Sequence, residues 1–198
     1  MTALPHHEST TPASLLSIVV PVYNEEAVLG AFHKRLSNVL DGLEMRWEII
    51  YVNDGSSDAT SELIQELRHS SPNVALVDLS RNFGKEIALT AGLDYACGDA
   101  VVVIDADLQD PPELIPQLLK KWRDGYDVVS AVRSARSGES WLKKLTAYGF
   151  YRVMSHVGLI AIPPDTGDFR LLSQRAVLAL RRLRERHRFM KGDRKSVV

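Results

Sequence analysis

The chain has 198 residues, of which 45% are hydrophobic and 25% are charged. That balance is typical of a folded globular protein and excludes a largely disordered one. The length is enough for one sizeable core, so we expect a single α/β domain. A single cysteine, Cys97, excludes an internal disulfide and a set of metal-binding thiols, and it favours a reducing compartment. No apolar run reaches the roughly 18 residues of a membrane span, so we expect no transmembrane segment in this chain.

Charge is unevenly distributed along the chain. The formal net charge is −1, from 24 basic and 25 acidic residues. From Arg175 onward nine basic residues face two acidic ones, so this end carries +7 and the rest of the chain −8. An anionic surface would therefore meet the C-terminal end first. Residues 1–13 are polar and lack the features of a signal peptide, and we predict a disordered leader over residues 1–15.

Short runs rich in Val and Ile alternate with amphipathic segments along the chain. This pattern predicts β-α units around a buried, mostly parallel sheet. The predicted strands are 17–23, 47–52, 74–79, 100–104, 128–132 and a short one at 169–172. The predicted helices follow the caps Asn24 and Asp58, cover 84–96, run from Pro112 through Trp122, cover 138–157 and, after a loop at 163–167, follow the cap Ser173.

Two carboxylates, Asp105 and Asp107, follow the most apolar predicted strand. In an open α/β sheet, ligands bind beyond the carboxyl ends of the strands. Carboxylates two residues apart repel each other unless positive charge lies between them, and a divalent cation would supply it. Oxygen ligands, with Gln109 as a further one, favour Mg²⁺ or Mn²⁺ over Zn²⁺. The alternative is that both acids only begin a solvated loop before a helix at Pro112.

Two more predicted strands end in polar segments that have two interpretations each. Residues 53–58, Asn-Asp-Gly-Ser-Ser-Asp, form either a turn with a helix cap or a segment that holds a nucleobase or ribose. Residues 21–25 either end a strand and begin a helix, or place Tyr23 to stack on a base. Three such segments at successive strand ends are stronger evidence for a ligand site than any one alone.

In order, spacing and content, these segments resemble the family 2 glycosyltransferases with the GT-A fold, over about 16–192. The strings DADLQDPPE at 105–113 and GDFRL at 167–171 are similar to the polyprenyl-phosphate glycosyltransferases, which include dolichyl-phosphate mannosyltransferase and the bactoprenol glucosyltransferases. The resemblance implies an α/β, Rossmann-like sheet flanked by helices and a catalytic domain at 16–174.

The resemblance also implies a reaction. It predicts an inverting, metal-dependent enzyme that transfers a sugar from a UDP- or GDP-sugar to polyprenyl phosphate. A metal would stabilise the negative charge that builds on the leaving nucleotide. The alternatives are a family 2 enzyme with a saccharide or protein acceptor and a non-catalytic nucleotide-binding module.

Site residues follow from the same resemblance, position by position. The residues expected around the nucleotide sugar are Pro21, Tyr23, Glu25, Val52, Asp54, Lys85, Asp105, Ala106 and Arg133. The expected ligands of Mg²⁺ or Mn²⁺ are Asp105, Asp107 and Gln109. Asp107 and Asp168 are the expected catalytic residues, with Asp165 as a second candidate beside Asp168. Asp168 would act as a general base or orient an already ionised phosphate. The alternative for Lys85 is a solvated lysine at a helix start.

The C-terminal segment is predicted to be a basic amphipathic helix over 175–192. We expect it to contact an anionic membrane surface on the cytoplasmic side and not nucleic acid, with a solvated basic face as the alternative. In the related proteins this region continues into further basic contacts and usually two membrane helices. Residues 193–198 match no part of that continuation, and they match the translation of a common sequencing adapter. We therefore expect a truncated sequence with a non-native tail at 193–198.

Overall fold

The structure is a computed structural model that describes residues 14–132 and 166–182. Several predictions lie outside these residues. They are Arg133, Asp165, the helix at 138–157, most of the leader, the end of the basic helix and the tail.

The described part of the chain contains six strands and five α-helices. The strands are β1 (Leu15–Val22), β2 (Arg46–Asn53), β3 (Val74–Asp78), β4 (Ala100–Val103), β5 (Val128–Val132) and β6 (Thr166–Ser173). The helices are α1 (Glu26–Asp41), α2 (Thr60–Ser70), α3 (Lys85–Tyr95), α4 (Ile115–Arg123) and α5 (Gln174–Arg182), with one 3₁₀ turn at Pro112–Leu114. Leu15, placed in the leader by the sequence, is the first residue of β1. No helix in these ranges is long and apolar enough to cross a bilayer.

The strands form one sheet in the order β3-β2-β1-β4-β6-β5. β1 pairs in parallel with β2 and β4, and β2 with β3, whereas β6 runs antiparallel to both β4 and β5. The predicted α/β, mostly parallel sheet is confirmed. β6 is longer than the strand predicted at 169–172, because its N-terminal end continues to pair with β5, with Thr166 opposite Val132, beyond the residues that pair with β4.

The sheet is buried on both faces, as parallel sheets generally are. All four residues of β4 are buried. One face packs against α1, α2 and α4, and the other against α3 and α5. α3 lies so close to the strands that a Cβ on Gly92 would collide with the side chain of Val19 and lie 2.9 Å from Cγ2 of Val52.

Two predicted helix caps function in the structure. The Oγ of Ser173 accepts a hydrogen bond from the amide of Ala176 at 3.1 Å, so α5 begins as predicted. α2 begins two residues after Asp58, whose Oδ1 nevertheless accepts from the amide of Thr60 at 3.1 Å. Both side chains satisfy backbone donors that a helix start leaves without an intrahelical partner.

Candidate active site

A cleft of about 280 Å³ lies beyond the carboxyl ends of β1, β2 and β4. Eight residues predicted for the site line it: Pro21, Tyr23, Glu25, Asp54, Lys85, Asp105, Ala106 and Asp107. The strand ends bring these residues together from positions up to 86 apart in the sequence. Four lining residues were not predicted: Val22, Asn82, Gly84 and Ala88.

Other predicted site residues do not line the cleft. The side chain of Val52 is fully buried in the core beneath α3, so it offers no surface to a ligand. Gln109 is exposed outside the cleft, and its backbone amide donates to Oδ1 of Asp107 at 3.0 Å. Asp168 is not among the lining residues. It accepts a hydrogen bond from Lys85, which does line the cleft.

The loops after β1 and β2 are tied together beside the cleft. The amide of Asn24 donates to Oγ of Ser56 at 3.0 Å, and Oδ1 of Asn24 accepts from the amide of Ser57 at 2.9 Å. The predicted cap of α1 at Asn24 is therefore wrong. Asn24 has a φ of 54° and serves the neighbouring loop, while Glu25 is the residue at the N-cap position. The amide of Glu25 donates to Oγ1 of Thr60 at 2.9 Å, so the loops hold each other in place.

Asp54, the residue after β2, holds the start of α3. Its Oδ1 accepts from the amide of Phe83 at 2.8 Å, and its Oδ2 accepts from the amide of Gly84 at 2.9 Å. The next residue, Gly55, has a φ of +66°, and a Cβ there would collide with the backbone of Arg81. Glycine at this position therefore lets residues 81–84 approach β2 closely.

Lys85, the first residue of α3, joins two carboxylates that are far apart in the sequence. Its Nζ lies 2.7 Å from Oδ2 of Asp105 and 2.6 Å from Oδ2 of Asp168. The side chain is 39% exposed, and those of Asp105 and Asp168 are 26% and 19% exposed. The alternative that Lys85 is only a solvated lysine is therefore wrong. Part of the positive charge that Asp105 and Asp107 require therefore comes from Lys85 of the protein itself.

The pKa shifts in the cleft follow from burial and from this arrangement of charges. Burial raises the pKa of Asp105, and the ammonium of Lys85 opposes the rise. Burial would lower the pKa of Lys85, but the hydrogen bonds and charges of Asp105 and Asp168 outweigh it and raise that pKa. Burial and the nearby Asp107 and Asp105 raise the pKa of Glu25. Among the described residues, the cleft is thus an acidic site that contains the cation of Lys85.

Arg170 in β6 is a buried charge for which the sequence analysis predicted no role. Its side chain is 4% exposed, and Nη2 lies 3.2 Å from Oδ1 of Asp168. Nε also donates to the backbone oxygen of Asp168 at 3.3 Å. The sequence offers one indication of this pairing. Arg170 lies between Phe169 and Leu171 in a predicted strand, and a buried arginine is almost always paired.

The family model described as "Glycosyl transferase family 2" matches residues 17–180. The chain belongs to this family. It is 55% identical over 177 residues to an uncharacterised glycosyltransferase of Synechocystis, covering 89% of this chain and 56% of that one. It is 47% identical to a bactoprenol glucosyl transferase of Shigella phage SfV, covering 89% of this chain and 58% of that one. The chain thus spans a little over half the length of these relatives.

Solved structures of two glycosyltransferases share the fold. The mannosyltransferase of Pyrobaculum calidifontis, in complex with GDP-mannose and Mn²⁺, matches with a TM-score of 0.59 and 24% identity over 86% of this chain and 47% of that one. Glucosyl-3-phosphoglycerate synthase of Mycobacterium tuberculosis matches with a TM-score of 0.56 and 24% identity over 81% of this chain and 56% of that one. These likenesses confirm the predicted GT-A fold.

The candidate ligands of a divalent cation are carboxylates of the cleft. Within 14–132 and 166–182, no three His, Cys, Asp or Glu side chains are grouped as a complete metal site. Asp105 and Asp107 both line the cleft. Mg²⁺ is often bound by one or two carboxylates together with substrate phosphates. The donor set therefore fits a cation that binds with a diphosphate, and it does not fit a closed structural metal site.

Proposed function

We propose that the protein transfers a sugar, with inversion, from a UDP- or GDP-sugar to polyprenyl phosphate, using Mg²⁺ or Mn²⁺. The observation that carries the proposal is the cleft itself, where Asp105, Asp107 and Lys85 meet beside the exposed ring of Tyr23. The 47% identity to a bactoprenol glucosyl transferase over 89% of this chain supports a lipid phosphate as the acceptor.

The donor half of the proposal assigns a task to each part of the cleft. Tyr23 is 45% exposed and can stack on a nucleobase, with Pro21 and Glu25 beside it. Asp105 and Asp107 would hold the cation, which would neutralise charge on the leaving diphosphate. Gln109 remains a proposed ligand of the cation, and Arg133 a proposed contact to the donor.

The acceptor half of the proposal concerns Asp168. Its carboxylate is paired with Lys85 on one oxygen and with Arg170 on the other. A phosphate monoester has its second pKa near 6, so a lipid phosphate is already largely dianionic at pH 7 and does not need a general base. We therefore assign Asp168 the orientation of the acceptor and its cationic partners, rather than removal of a proton.

A membrane surface is the proposed location, through the basic segment at 175–192. The apolar face of α5, with Ala176, Val177 and Leu180 buried, packs on the domain. Arg181 donates hydrogen bonds to backbone oxygens at the end of α3, whereas Arg182 is exposed. Arg175 is exposed but is paired with Asp127, so membrane contact would depend on Arg182 and on residues after it. Failure to sediment with anionic vesicles at low salt would contradict this part of the proposal.

Transfer to lipid tests the proposed reaction. The protein is incubated with Mn²⁺, undecaprenyl phosphate and either UDP-glucose or GDP-mannose, and glycosylated lipid is detected by mass spectrometry. We expect product with the lipid phosphate and none with the corresponding polyprenol, since only the phosphate is an ionised nucleophile. Asp107→Asn should abolish product formation. Product with a saccharide acceptor and none with lipid would favour the other family 2 reaction.

A further inference from the structure

Lys85 contacts one carboxylate from each half of the proposed reaction. Asp105 is a proposed cation ligand, and Asp168 is proposed to act at the acceptor side. The Nζ atom of Lys85 lies 2.7 Å from Oδ2 of Asp105, at the normal length of a charge-assisted hydrogen bond. An ammonium there repels any cation that approaches the same oxygen.

The backbone that precedes Lys85 is held in place by hydrogen bonds to Asp54. Both oxygens of Asp54 accept hydrogen bonds from the amides of the two residues before Lys85. Gly84, at a φ of +97°, turns the chain into α3. Lys85 therefore reaches Asp105 from a fixed position, and only its flexible four-carbon side chain has to move for the contact to break.

Asp168 provides a second partner that does not depend on Asp105. Its Oδ2 lies 2.6 Å from Nζ of Lys85, and its other oxygen is held by the buried Arg170. The ammonium can therefore leave Asp105 and still remain paired. Lys85 also lines the cleft, so an ammonium released from Asp105 would face a bound diphosphate.

We propose that Lys85 is an internal counter-ion, which pairs with Asp105 in the absence of nucleotide and gives up that carboxylate to the divalent cation that arrives with a nucleoside diphosphate. This inference rests on the proposed function. Its consequence is that the cation binds weakly to the protein alone and more strongly with nucleotide, because the diphosphate both supplies ligands and attracts the ammonium away from Asp105.

The test is a titration of the full chain with Mn²⁺, in which free Mn²⁺ is measured by electron paramagnetic resonance without nucleotide and with UDP or GDP. Lys85→Met removes the charge and keeps most of the side-chain length. Lys85→Gln removes the charge but can still donate hydrogen bonds to the carboxylates, so it tests charge with less risk to folding. Lys85→Arg keeps the charge, and Lys34→Met removes one from the exposed face of α1, away from the cleft.

We expect both charge-removing variants to bind Mn²⁺ without nucleotide about tenfold more tightly than the wild type, or better. Nucleotide should then raise the Mn²⁺ affinity of the wild type by a larger factor than it raises theirs. Lys85→Arg and Lys34→Met should behave like the wild type.

Each of the other outcomes has a distinct meaning. If Lys85→Met and Lys85→Gln bind Mn²⁺ no more tightly than the wild type, while nucleotide still promotes Mn²⁺ binding, the donor site stands and the counter-ion role is overturned. If these variants gain affinity but nucleotide changes it in none of the proteins, Lys85 opposes a cation at Asp105 as proposed, but its release by nucleotide and the proposed donor site are both overturned. If no protein binds Mn²⁺ under any condition, both are overturned.

Discussion

At the scale of single residues, Asp54 shows how one carboxylate can both line a site and fix the backbone beside it. It is 4% exposed, and it fixes the entry to α3 through two amides. The family resemblance predicts Asp54 beside the nucleotide. Each of its oxygens accepts one hydrogen bond from the start of α3, so Asp54 positions Lys85 in addition to lining the cleft.

Replacing Asp54 should therefore affect stability as well as binding. Asp54→Ala leaves the amides of Phe83 and Gly84 without their acceptor, and we expect the free energy of unfolding to fall by about 2–4 kcal/mol. Asp54→Asn keeps one acceptor oxygen and should lie between Ala and the wild type. Urea denaturation measures the change. The control Asp41→Ala, at the exposed end of α1, should stay within about 0.5 kcal/mol of the wild type. An equal effect of both alanine variants would contradict this role of Asp54.

Glu25 provides a pH dependence with a definite sign. Burial, Asp107 and Asp105 raise its pKa in the folded protein, so folding favours the protonated form. Its contribution to stability is therefore greatest below the ordinary pKa of glutamate and is lost as pH rises through the folded-state pKa. We expect Glu25→Gln to be more stable than the wild type at pH 7, with the difference shrinking as the pH is lowered to 4. Thermal denaturation at both pH values would measure it, and a difference that grows on acidification would contradict the sign.

The residues of the site could be predicted to different degrees. Asp105, Asp107 and Tyr23 follow hydrophobic runs, so local pattern alone places them at strand ends. The pairing of Lys85 with Asp168 could not be predicted in this way, because 83 residues separate them and the contact exists only once β6 has inserted beside β4. Val52 was assigned by resemblance and not by burial pattern. Its place within a continuous apolar strand already indicated a core position.

At the scale of elements, the loop after β2 depends on glycine for space. Gly55→Ala would put a Cβ into the backbone of Arg81 at a φ of +66°, and we expect a loss of at least about 2 kcal/mol in unfolding free energy. Gly30 is the matched control, because it lies on an exposed face of α1 with no atom within 4 Å of an added Cβ. Gly30→Ala should stabilise the protein by up to about 1 kcal/mol. Opposite signs for these two substitutions in chemical denaturation are the expected result, and equal effects would contradict the packing described here.

The junction of α5 with α3 gives a second prediction for elements. Nε of Arg181 donates to the backbone oxygen of Leu93 at 3.0 Å, and Nη2 donates to that of Ala96 at 2.7 Å. Charged donors at these last carbonyls stabilise the end of α3. We expect Arg181→Met to lower the unfolding free energy by about 1–3 kcal/mol and Arg182→Met, next to it and exposed, to change it by less than about 0.5 kcal/mol. Equal losses in denaturant titrations would show that general charge, and not the α3 contact, explains the effect.

The strands and helices could be predicted from the sequence to different degrees. The type of most described elements was predictable, since the strands are apolar runs and α1, α2, α4 and α5 each carry an apolar face. The start of α1 was not, because Asn24 forms hydrogen bonds with the loop after β2, a partner that a local cap prediction does not consider. The basic segment was predicted as a membrane-facing helix, but Arg181 packs inward because α3 presents carbonyl oxygens to it.

At the scale of the whole molecule, binding at the cleft should stabilise the entire fold, because the cleft is built from β1, β2, β4 and the start of α3. A ligand at a hundredfold excess over its Kd adds about 2.7 kcal/mol to the unfolding free energy. In a domain of this size that corresponds to a rise in Tm of roughly 5–10 °C. We expect this rise with UDP or GDP together with Mn²⁺, and a much smaller one with Mn²⁺ alone, since two carboxylates and a neighbouring ammonium form a poor cation site.

Asp107→Asn is the matched variant, because the exposed side chain keeps the oxygen that accepts from the amide of Gln109 while losing its charge. It should fold normally and lose the combined shift. An equal shift with nucleotide alone would remove the metal from the proposal, and no shift with either nucleotide would remove the donor site.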